Sequence, residues 1–175
     1  MILKLKRTPG IYLVGFMGCG KSTIGRALAE EVGWSFFDLD QEIERRERLA
    51  IAQIFDTQGE AAFRQAETAA LRERVETVSR GQPQVISLGG GAFVSQENFE
   101  LVESAGVSVW IDAPFSTIER RVASETHRPL ARDREQLRAL FDARRPAYAR
   151  ADYRVEVLDD NPRSVVERIL ALELF

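Results

Sequence analysis

A glycine-rich segment near the amino terminus constrains the fold of this chain more than any other feature. It covers Gly15–Thr23 and directly follows the apolar run Ile11–Val14. Its spacing fits the pattern G-x-x-x-x-G-K-[ST], in which a buried strand turns sharply into a helix. Glycines let consecutive backbone N–H groups face phosphate oxygens, and the helix adds the positive end of its dipole. The segment predicts a nucleoside-triphosphate site rather than a glycine-rich turn without a ligand.

Two side chains at the end of this segment have the chemistry that such a site requires. Lys21 can neutralise the β- and γ-phosphates as a point charge, and the Ser22 hydroxyl can bind Mg²⁺. ATP with one Mg²⁺ ion is therefore the expected pair. The neighbouring Cys19 is interpreted as a small residue that fills the loop, with redox control as the alternative.

Composition limits the class of protein. The chain has 175 residues, 45% of them hydrophobic, which predicts a single domain over residues 1–175. A net charge of -3 does not indicate a nucleic-acid binder. The single cysteine excludes an internal disulfide, and we see no secretory signal or membrane-length apolar run. We expect a cytoplasmic protein, a monomer without a membrane or nucleic-acid partner.

Apolar runs of strand length alternate with helical patterns along the chain. This alternation predicts an α/β fold with three layers, in which helices cover both faces of a central parallel sheet. Ligands of such sheets bind at the carboxyl ends of the strands. The predicted strands are Ile11–Gly15, Trp34–Asp38, Val85–Leu88, Val107–Ile111 and Tyr153–Leu158, and the predicted helices are Lys21–Val32, Glu60–Arg80, Pro114–Val122, Leu137–Ala151 and Ser164–Leu172.

Polar residues and glycines follow two of these strands. Asp38 and Asp40 come directly after Phe36-Phe37, and one can serve Mg²⁺ while the other faces a substrate hydroxyl. The alternative is that one of them caps the next helix. Gly89, Gly90 and Gly91 follow Val85–Leu88, where they let the backbone approach a ligand closely, unless they form only a tight turn.

Arginines form a third group of candidates, because a planar guanidinium suits bidentate binding of carboxylate or phosphate. Arg64 lies one helical turn before Glu67, so the two can pair. Arg144 and Arg145 stand before Pro146. A polar segment at about 124–134 is predicted to be a mobile lid over the phosphates. Three arginines lie in or just before that lid, namely Arg120, Arg121 and Arg128. For each of them a solvated surface position is the alternative.

Together these segments resemble the shikimate kinase family over almost the whole chain. The match rests on the glycine-rich segment Gly15–Thr23, which we call the P-loop, on Phe36–Asp40, on the pattern I-F-x-x-x-G-E-x-x-F-R-x-x-E at Ile54–Glu67, and on three shorter motifs. Those are Ser87–Gly91, Arg128-Pro129-Leu130 and Arg144–Tyr148. The resemblance implies a P-loop kinase fold with a five-stranded parallel sheet and a mobile lid. It also implies transfer of the γ-phosphoryl group of ATP to the 3-hydroxyl of shikimate.

The resemblance also assigns roles to individual residues. Asp40 would orient the attacking hydroxyl, and Arg64 with Arg144 would bind the shikimate carboxylate. Glu67 would hold Arg64, and Phe55 with Phe63 would form an apolar wall within a substrate-binding segment at about 39–67. The ATP site would comprise Gly18, Cys19, Gly20, Lys21, Ser22, Thr23, Arg121 and Arg128; the substrate site Asp40, Arg64, Gly89, Gly90, Gly91 and Arg144; the metal site Ser22 and Asp38; and the catalytic group Lys21, Asp40 and Arg128.

The chain departs from the family pattern at two places. The lid reads Arg128-Pro129-Leu130-Ala131 where the family often has a second leucine, and His127 is interpreted as a solvated lid residue. Asp159-Asp160 precede Asn161-Pro162 where basic residues are common, which leaves the contacts to the nucleotide base open. The competing hypotheses are a gluconate-type kinase, a nucleoside-monophosphate kinase, and a P-loop binding module without catalysis.

Overall fold

In a computed structural model, which describes residues 10–124 and 133–174, five parallel strands form one sheet. The spatial order is β2-β3-β1-β4-β5, so the first strand lies at the centre. The register pairs Ile11 with Val85 on one side and with Val107 on the other. The strands are β1 (Gly10–Val14), β2 (Ser35–Asp38), β3 (Gln84–Ser87), β4 (Val107–Asp112) and β5 (Tyr153–Glu156).

Helices connect and cover these strands. In the described part of the chain they are α1 (Lys21–Val32), α2 (Leu39–Glu47), α3 (Ile51–Gln58), α4 (Glu60–Ser79), α5 (Gln96–Ala105), α6 (Phe115–Ala123), α7 (Arg134–Tyr148) and α8 (Pro162–Leu170), with a 3₁₀ turn at Ala92–Val94. Within these residues, no helix is both long enough and apolar enough to cross a membrane.

The apolar runs of the sequence become the inner strands because both faces of the sheet are covered. Every residue of β1, β3 and β4 is buried, and the edge strands β2 and β5 are partly exposed. Burial on both faces requires continuous apolar runs rather than alternating ones. The predicted three-layer α/β fold with a five-stranded parallel sheet is therefore confirmed.

The strands end within two residues of their predicted bounds, and the larger differences from the sequence-based prediction concern helices. The sequence analysis gave no bounds for three of the observed helices, α2, α3 and α5. The α7 helix begins at Arg134 rather than Leu137, because the Asp133 side chain caps it through the N–H groups of Glu135 and Gln136. The α8 helix begins at Pro162, with the Asn161 side chain as its cap. The predicted lid, about 124–134, lies largely in residues 125–132, outside the described residues.

Strand order gathers the candidate residues at one edge of the sheet. The P-loop follows β1 at the centre, and its two neighbours along this edge are Gly89–Gly91 after β3 and Asp112 at the end of β4. Asp38 ends β2, and Asp159–Pro162 follow β5. Since all five strands are parallel, their carboxyl ends form one continuous edge, where ligands of this architecture bind.

Candidate active site

The P-loop has a backbone that only glycine adopts readily. Gly15, Gly18 and Gly20 have φ values of 147°, 76° and 101°. At Gly15 a side chain would also collide with the sheet, because a Cβ would lie 2.6 Å from the carbonyl oxygen of Ile111. Gly20 precedes Lys21, the first residue of α1, so the amino-terminal end of that helix opens onto the loop. Anions bind favourably at such a helix end.

Lys21 lies folded back over the loop. Its ammonium group donates to the carbonyl oxygens of Gly15 at 2.8 Å and Phe16 at 3.0 Å, and the side chain is only 8% exposed. Each of these contacts lies within the P-loop itself. The positive charge is therefore held inside the ring of backbone that the sequence pattern predicts to surround phosphate.

Ser22, the second residue of α1, is in direct contact with Asp38 at the end of β2. The Ser22 hydroxyl donates to Asp38 Oδ2, and Asp38 Oδ1 accepts from the N–H of Gln41 at 3.1 Å. Asp38 thus caps α2 and also faces the P-loop, so the helix-cap alternative and the ligand hypothesis are compatible. A hydroxyl and a carboxylate placed side by side are hard oxygen donors of the kind that Mg²⁺ prefers.

A cavity of about 570 Å³ opens beside the P-loop. We call it the acceptor cavity. Charged and polar groups from four separate segments meet in it, next to an apolar wall in which the rings of Phe55 and Phe63 lie 4.8 Å apart. Its polar lining includes Asp40, Glu44, Asp56, Glu60, Arg64, Glu67 and Arg144, and its backbone lining includes Gly89, Gly90 and Gly91.

Arg64 and Glu67 form the predicted pair on one face of α4. Arg64 Nη1 donates to Glu67 Oε2 at 2.8 Å, and the Glu67 side chain is completely buried. Burial raises the pKa of Glu67, and the positive charge of Arg64 opposes that rise. The other oxygen, Oε1, has no hydrogen-bond partner among the described residues. A buried carboxyl group of this kind fixes the orientation of the guanidinium that faces the cavity.

The three glycines after β3 leave room for these side chains. A Cβ at Gly89 would lie 2.6 Å from Asp40 Oδ1 and 2.8 Å from Glu67 Oε1. At Gly91 it would lie 2.5 Å from Arg64 Nη2. The Gly89–Gly91 segment is therefore more than a tight turn, since carboxylate and guanidinium groups occupy the space that side chains would fill.

Arg144 lines the acceptor cavity from α7, and two side chains that follow it on this helix anchor α7 to the strand ends. The neighbouring Arg145 donates to both oxygens of the buried Asp112, at 2.8 and 3.2 Å. One turn further, the Tyr148 hydroxyl donates to the carbonyl oxygen of Gly90. Arg144 itself lies over the Phe16 ring, 5.7 Å from its centre. These anchors place a second guanidinium beside the P-loop.

A second cavity, of about 250 Å³, lies against Cys19, Gly20 and Thr23 of the P-loop. We call it the nucleotide-side cavity. Arg121 closes one side of it and donates to the carbonyl oxygen of Gly18 at 3.1 Å. The lining residues are Cys19, Gly20, Thr23, Ile24, Arg121, Val157, Asp159, Asp160, Asn161, Pro162 and Val165. None of them lines the acceptor cavity.

The structure thus brings together most of the residues predicted from sequence. Arg128 and His127 lie outside the described residues. Arg120 and Arg145 are in ion pairs with Asp160 and Asp112 and do not line the acceptor cavity. Sequence analysis missed Asp112 as the anchor of α7, although a carboxylate at the carboxyl end of a strand was the available signal.

Comparisons with known proteins agree with this arrangement. The family model described as "Shikimate kinase" matches residues 17–173. The shikimate kinase of Persephonella marina is 39% identical over 161 residues, covering 91% of this chain and 96% of that enzyme. The solved structure of shikimate kinase from Acinetobacter baumannii in complex with shikimate superposes with a TM-score of 0.89 at 35% identity, covering 99% of this chain and 97% of that one.

The structure of shikimate kinase from Aquifex aeolicus gives a TM-score of 0.81 at 39% identity, covering 92% of this chain and 94% of that one. The family model covers every residue that lines the two cavities. The chain belongs to the shikimate kinase family.

Proposed function

We propose that this chain transfers the γ-phosphoryl group of ATP to the 3-hydroxyl of shikimate, which gives shikimate 3-phosphate and ADP in aromatic amino acid biosynthesis. The observation that carries the proposal is the meeting of Arg64, Arg144 and Asp40 in one cavity beside the P-loop. Shikimate is a small ring that carries a carboxylate and hydroxyl groups. Two guanidinium groups suit the carboxylate, and a carboxylate acceptor suits the hydroxyls.

On the phosphate side, positioning and charge neutralisation supply most of the catalysis in phosphoryl transfer. We assign Lys21 to the β- and γ-phosphates, which its ammonium group would contact in place of the carbonyls of Gly15 and Phe16. Ser22 and Asp38 would hold the divalent metal that kinases of this family use, and we propose Mg²⁺ from the hard oxygen donors. When bound, the metal neutralises charge on the phosphate oxygens.

On the acceptor side, Arg64 and Arg144 would bind the carboxylate of the substrate, and Gly89–Gly91 would form the floor beneath it. Asp40 would accept a hydrogen bond from the 3-hydroxyl and take its proton as the new O–P bond forms and the bond from the γ-phosphorus to the departing ADP breaks. Phe55 and Phe63 would pack against the apolar face of the ring. With the carboxylate and the ring held in this way, the 3-hydroxyl would point towards the P-loop, where the γ-phosphoryl group would lie.

Two assignments complete the proposal. Arg121 would contact the nucleotide, since it closes one side of the nucleotide-side cavity. Arg128, which lies outside the described residues, would come from the lid at about 124–134 onto the transferring group. Such a contact would stabilise developing charge and exclude water as a competing acceptor. The substrate-binding segment at about 39–67 and this lid would belong to one domain over residues 1–175.

We further propose that the enzyme works in the cytoplasm as a monomer with magnesium and without a nucleic-acid partner. The single cysteine fits a reducing compartment. Light scattering coupled to size-exclusion chromatography should give the mass of one chain, 19.7 kDa, with and without substrates. A stable dimer mass would contradict the monomer.

The deciding experiment measures ADP release with each acceptor in turn. With ATP and Mg²⁺, shikimate should support turnover, and gluconate and adenosine monophosphate should not. Phosphorus NMR of the product should show a phosphate ester on the ring. Turnover with gluconate alone would support the gluconate-type hypothesis, and nucleotide binding without turnover on any acceptor would support the binding module.

A further inference from the structure

The two acidic residues before Asn161-Pro162, Asp159 and Asp160, make different hydrogen bonds. Asp159 stays within its own loop, where Oδ1 accepts from the N–H of Asn161 at 2.8 Å and from the Ser164 hydroxyl at 2.7 Å. Asp160 points across to α6. Its carboxylate accepts from Arg120 Nη2 at 2.7 and 2.9 Å and from Arg121 Nη2 at 3.1 Å.

Arg121 is held at both ends of its guanidinium group. While Nη2 contacts Asp160, Nη1 donates to the carbonyl oxygen of Gly18 at 3.1 Å. A Cβ at Gly20 would lie 3.5 Å from the same Nη1, so the guanidinium lies directly over the P-loop. An aspartate is ionised near neutral pH, and the hydrogen bonds from Arg121 and Arg120 lower the pKa of Asp160 further.

We propose that Asp160 is a positioning residue for the nucleotide: it holds Arg121 over the P-loop before ATP arrives. The inference rests on the proposed function for the identity of the nucleotide, and on the geometry above for the contact. A free arginine side chain loses considerable rotamer freedom when it is fixed by a ligand, and that loss reduces affinity. With Asp160 in place, much of the ordering is complete in the unliganded protein.

Arg120 has a supporting part in this arrangement. It adds two hydrogen bonds to Asp160, and it lies with Arg121 in the last turn of α6, where the helix dipole favours cations. Isolated surface ion pairs contribute little, but two guanidinium groups that share one carboxylate form a network with a defined geometry. Asp160, which departs from the family pattern, therefore orients Arg121. This role does not require Asp160 to contact the nucleotide base.

The test compares Asp160→Asn with the wild type by calorimetric titration of Mg²⁺-ADP in the absence of shikimate. Dissociation constants should rise about two- to tenfold, the range expected for ordering one long side chain on binding. In turnover assays the KM for ATP should rise by the same factor, while kcat and the KM for shikimate stay unchanged. Asp160→Glu should restore much of the affinity.

Asp142→Asn is the matched control, because it breaks an ion pair of similar exposure, Arg138–Asp142, that lines neither cavity. It should leave nucleotide affinity unchanged. Unaltered ADP affinity in Asp160→Asn would overturn the proposal, and so would tighter binding, which would mean that the carboxylate competes with the nucleotide for Arg121. Wild-type protein that binds ADP but does not phosphorylate shikimate would instead contradict the proposed function.

Discussion

The P-loop and the acceptor cavity beside it are built on different principles. In the P-loop, the Lys21 ammonium group is held by carbonyl oxygens of residues five and six positions away. In the acceptor cavity, charged side chains arrive from α2, α3, α4 and α7 and meet beside glycines that follow β3. The P-loop contacts of Lys21 are therefore local in sequence, whereas the acceptor cavity depends on how distant elements pack.

This difference predicts how each region fails when it is altered. Removal of a phosphate-side charge should stop the reaction with little change in the packing between elements. Removal of an acceptor-side charge should in some cases also destabilise the protein, because those charges neutralise each other in a partly buried space.

The largest effect is expected at the phosphate side. Lys21→Ala should reduce kcat at least about a hundredfold, since it removes a positive charge from the developing phosphate charge. Shikimate affinity, measured by titration without nucleotide, should change little. Thermal unfolding checks that the fold survives, and Lys21→Arg serves as the charge-preserving control. Near-normal turnover of a folded Lys21→Ala variant would show that the P-loop lysine is not part of the catalytic group.

The next effect distinguishes two arginines with the same proposed ligand. Arg64→Ala and Arg144→Ala should each weaken shikimate binding by about 2–5 kcal/mol. Only Arg64→Ala should also lower the free energy of unfolding, by about 1–3 kcal/mol, because it leaves the buried Glu67 without its partner.

The double variant Arg64→Ala/Glu67→Gln is the control for this distinction. It should recover the stability that Arg64→Ala loses and recover none of the shikimate affinity, as denaturant unfolding and titration calorimetry would show. Equal stability loss in Arg64→Ala and Arg144→Ala would contradict the claim that Glu67 depends on Arg64.

A smaller effect is expected where the glycines make room for side chains. Gly89→Ala places a methyl group 2.6 Å from Asp40 Oδ1, whereas Gly90→Ala meets its nearest neighbours, Arg144 Nη1 and the Met17 N–H, at 3.3 Å. Neither glycine has a positive φ, so the contact rather than backbone strain decides the outcome. Gly89→Ala should raise the KM for shikimate about tenfold and Gly90→Ala less, an order of magnitude typical of a displaced binding group. The reverse order would contradict this geometry.

Contacts that are local in sequence could be predicted from the sequence, and contacts between distant elements were harder to predict. The P-loop could be read directly, because its function depends on the spacing of neighbouring residues. Glu67 was predicted to pair with Arg64, but its complete burial was missed, although it stands four residues from both Phe63 and Leu71 on the inner face of α4. The contact from Asp160 to Arg121 could not be predicted, since it joins the loop after β5 to helix α6, 39 positions away in the sequence.

The smallest effect concerns the ion pairs behind the acceptor cavity. Glu42, on the same helix as Asp40, accepts hydrogen bonds from Arg45, and Arg46 bridges it to Glu73 on α4. The bonds from Arg45 and Arg46 lower the pKa of Glu42 from 4.5 to about 2. None of these four charged side chains lines the acceptor cavity. They stabilise the wall of the site without contributing chemistry to it.

Glu42→Gln should therefore lower the melting temperature at pH 7 by a few degrees, about 1 kcal/mol for a partly exposed network, and leave kcat and both KM values unchanged. Because the folded-state pKa lies below the unfolded value, this stabilisation is present above about pH 4.5 and is lost as the pH falls towards 2. The difference in melting temperature between variant and wild type should shrink over that interval. Glu76→Gln, which removes an exposed pair with Arg80, should cost less at pH 7. A difference that stays constant from pH 7 to pH 2 would mean that Glu42 acts through packing rather than through its charge.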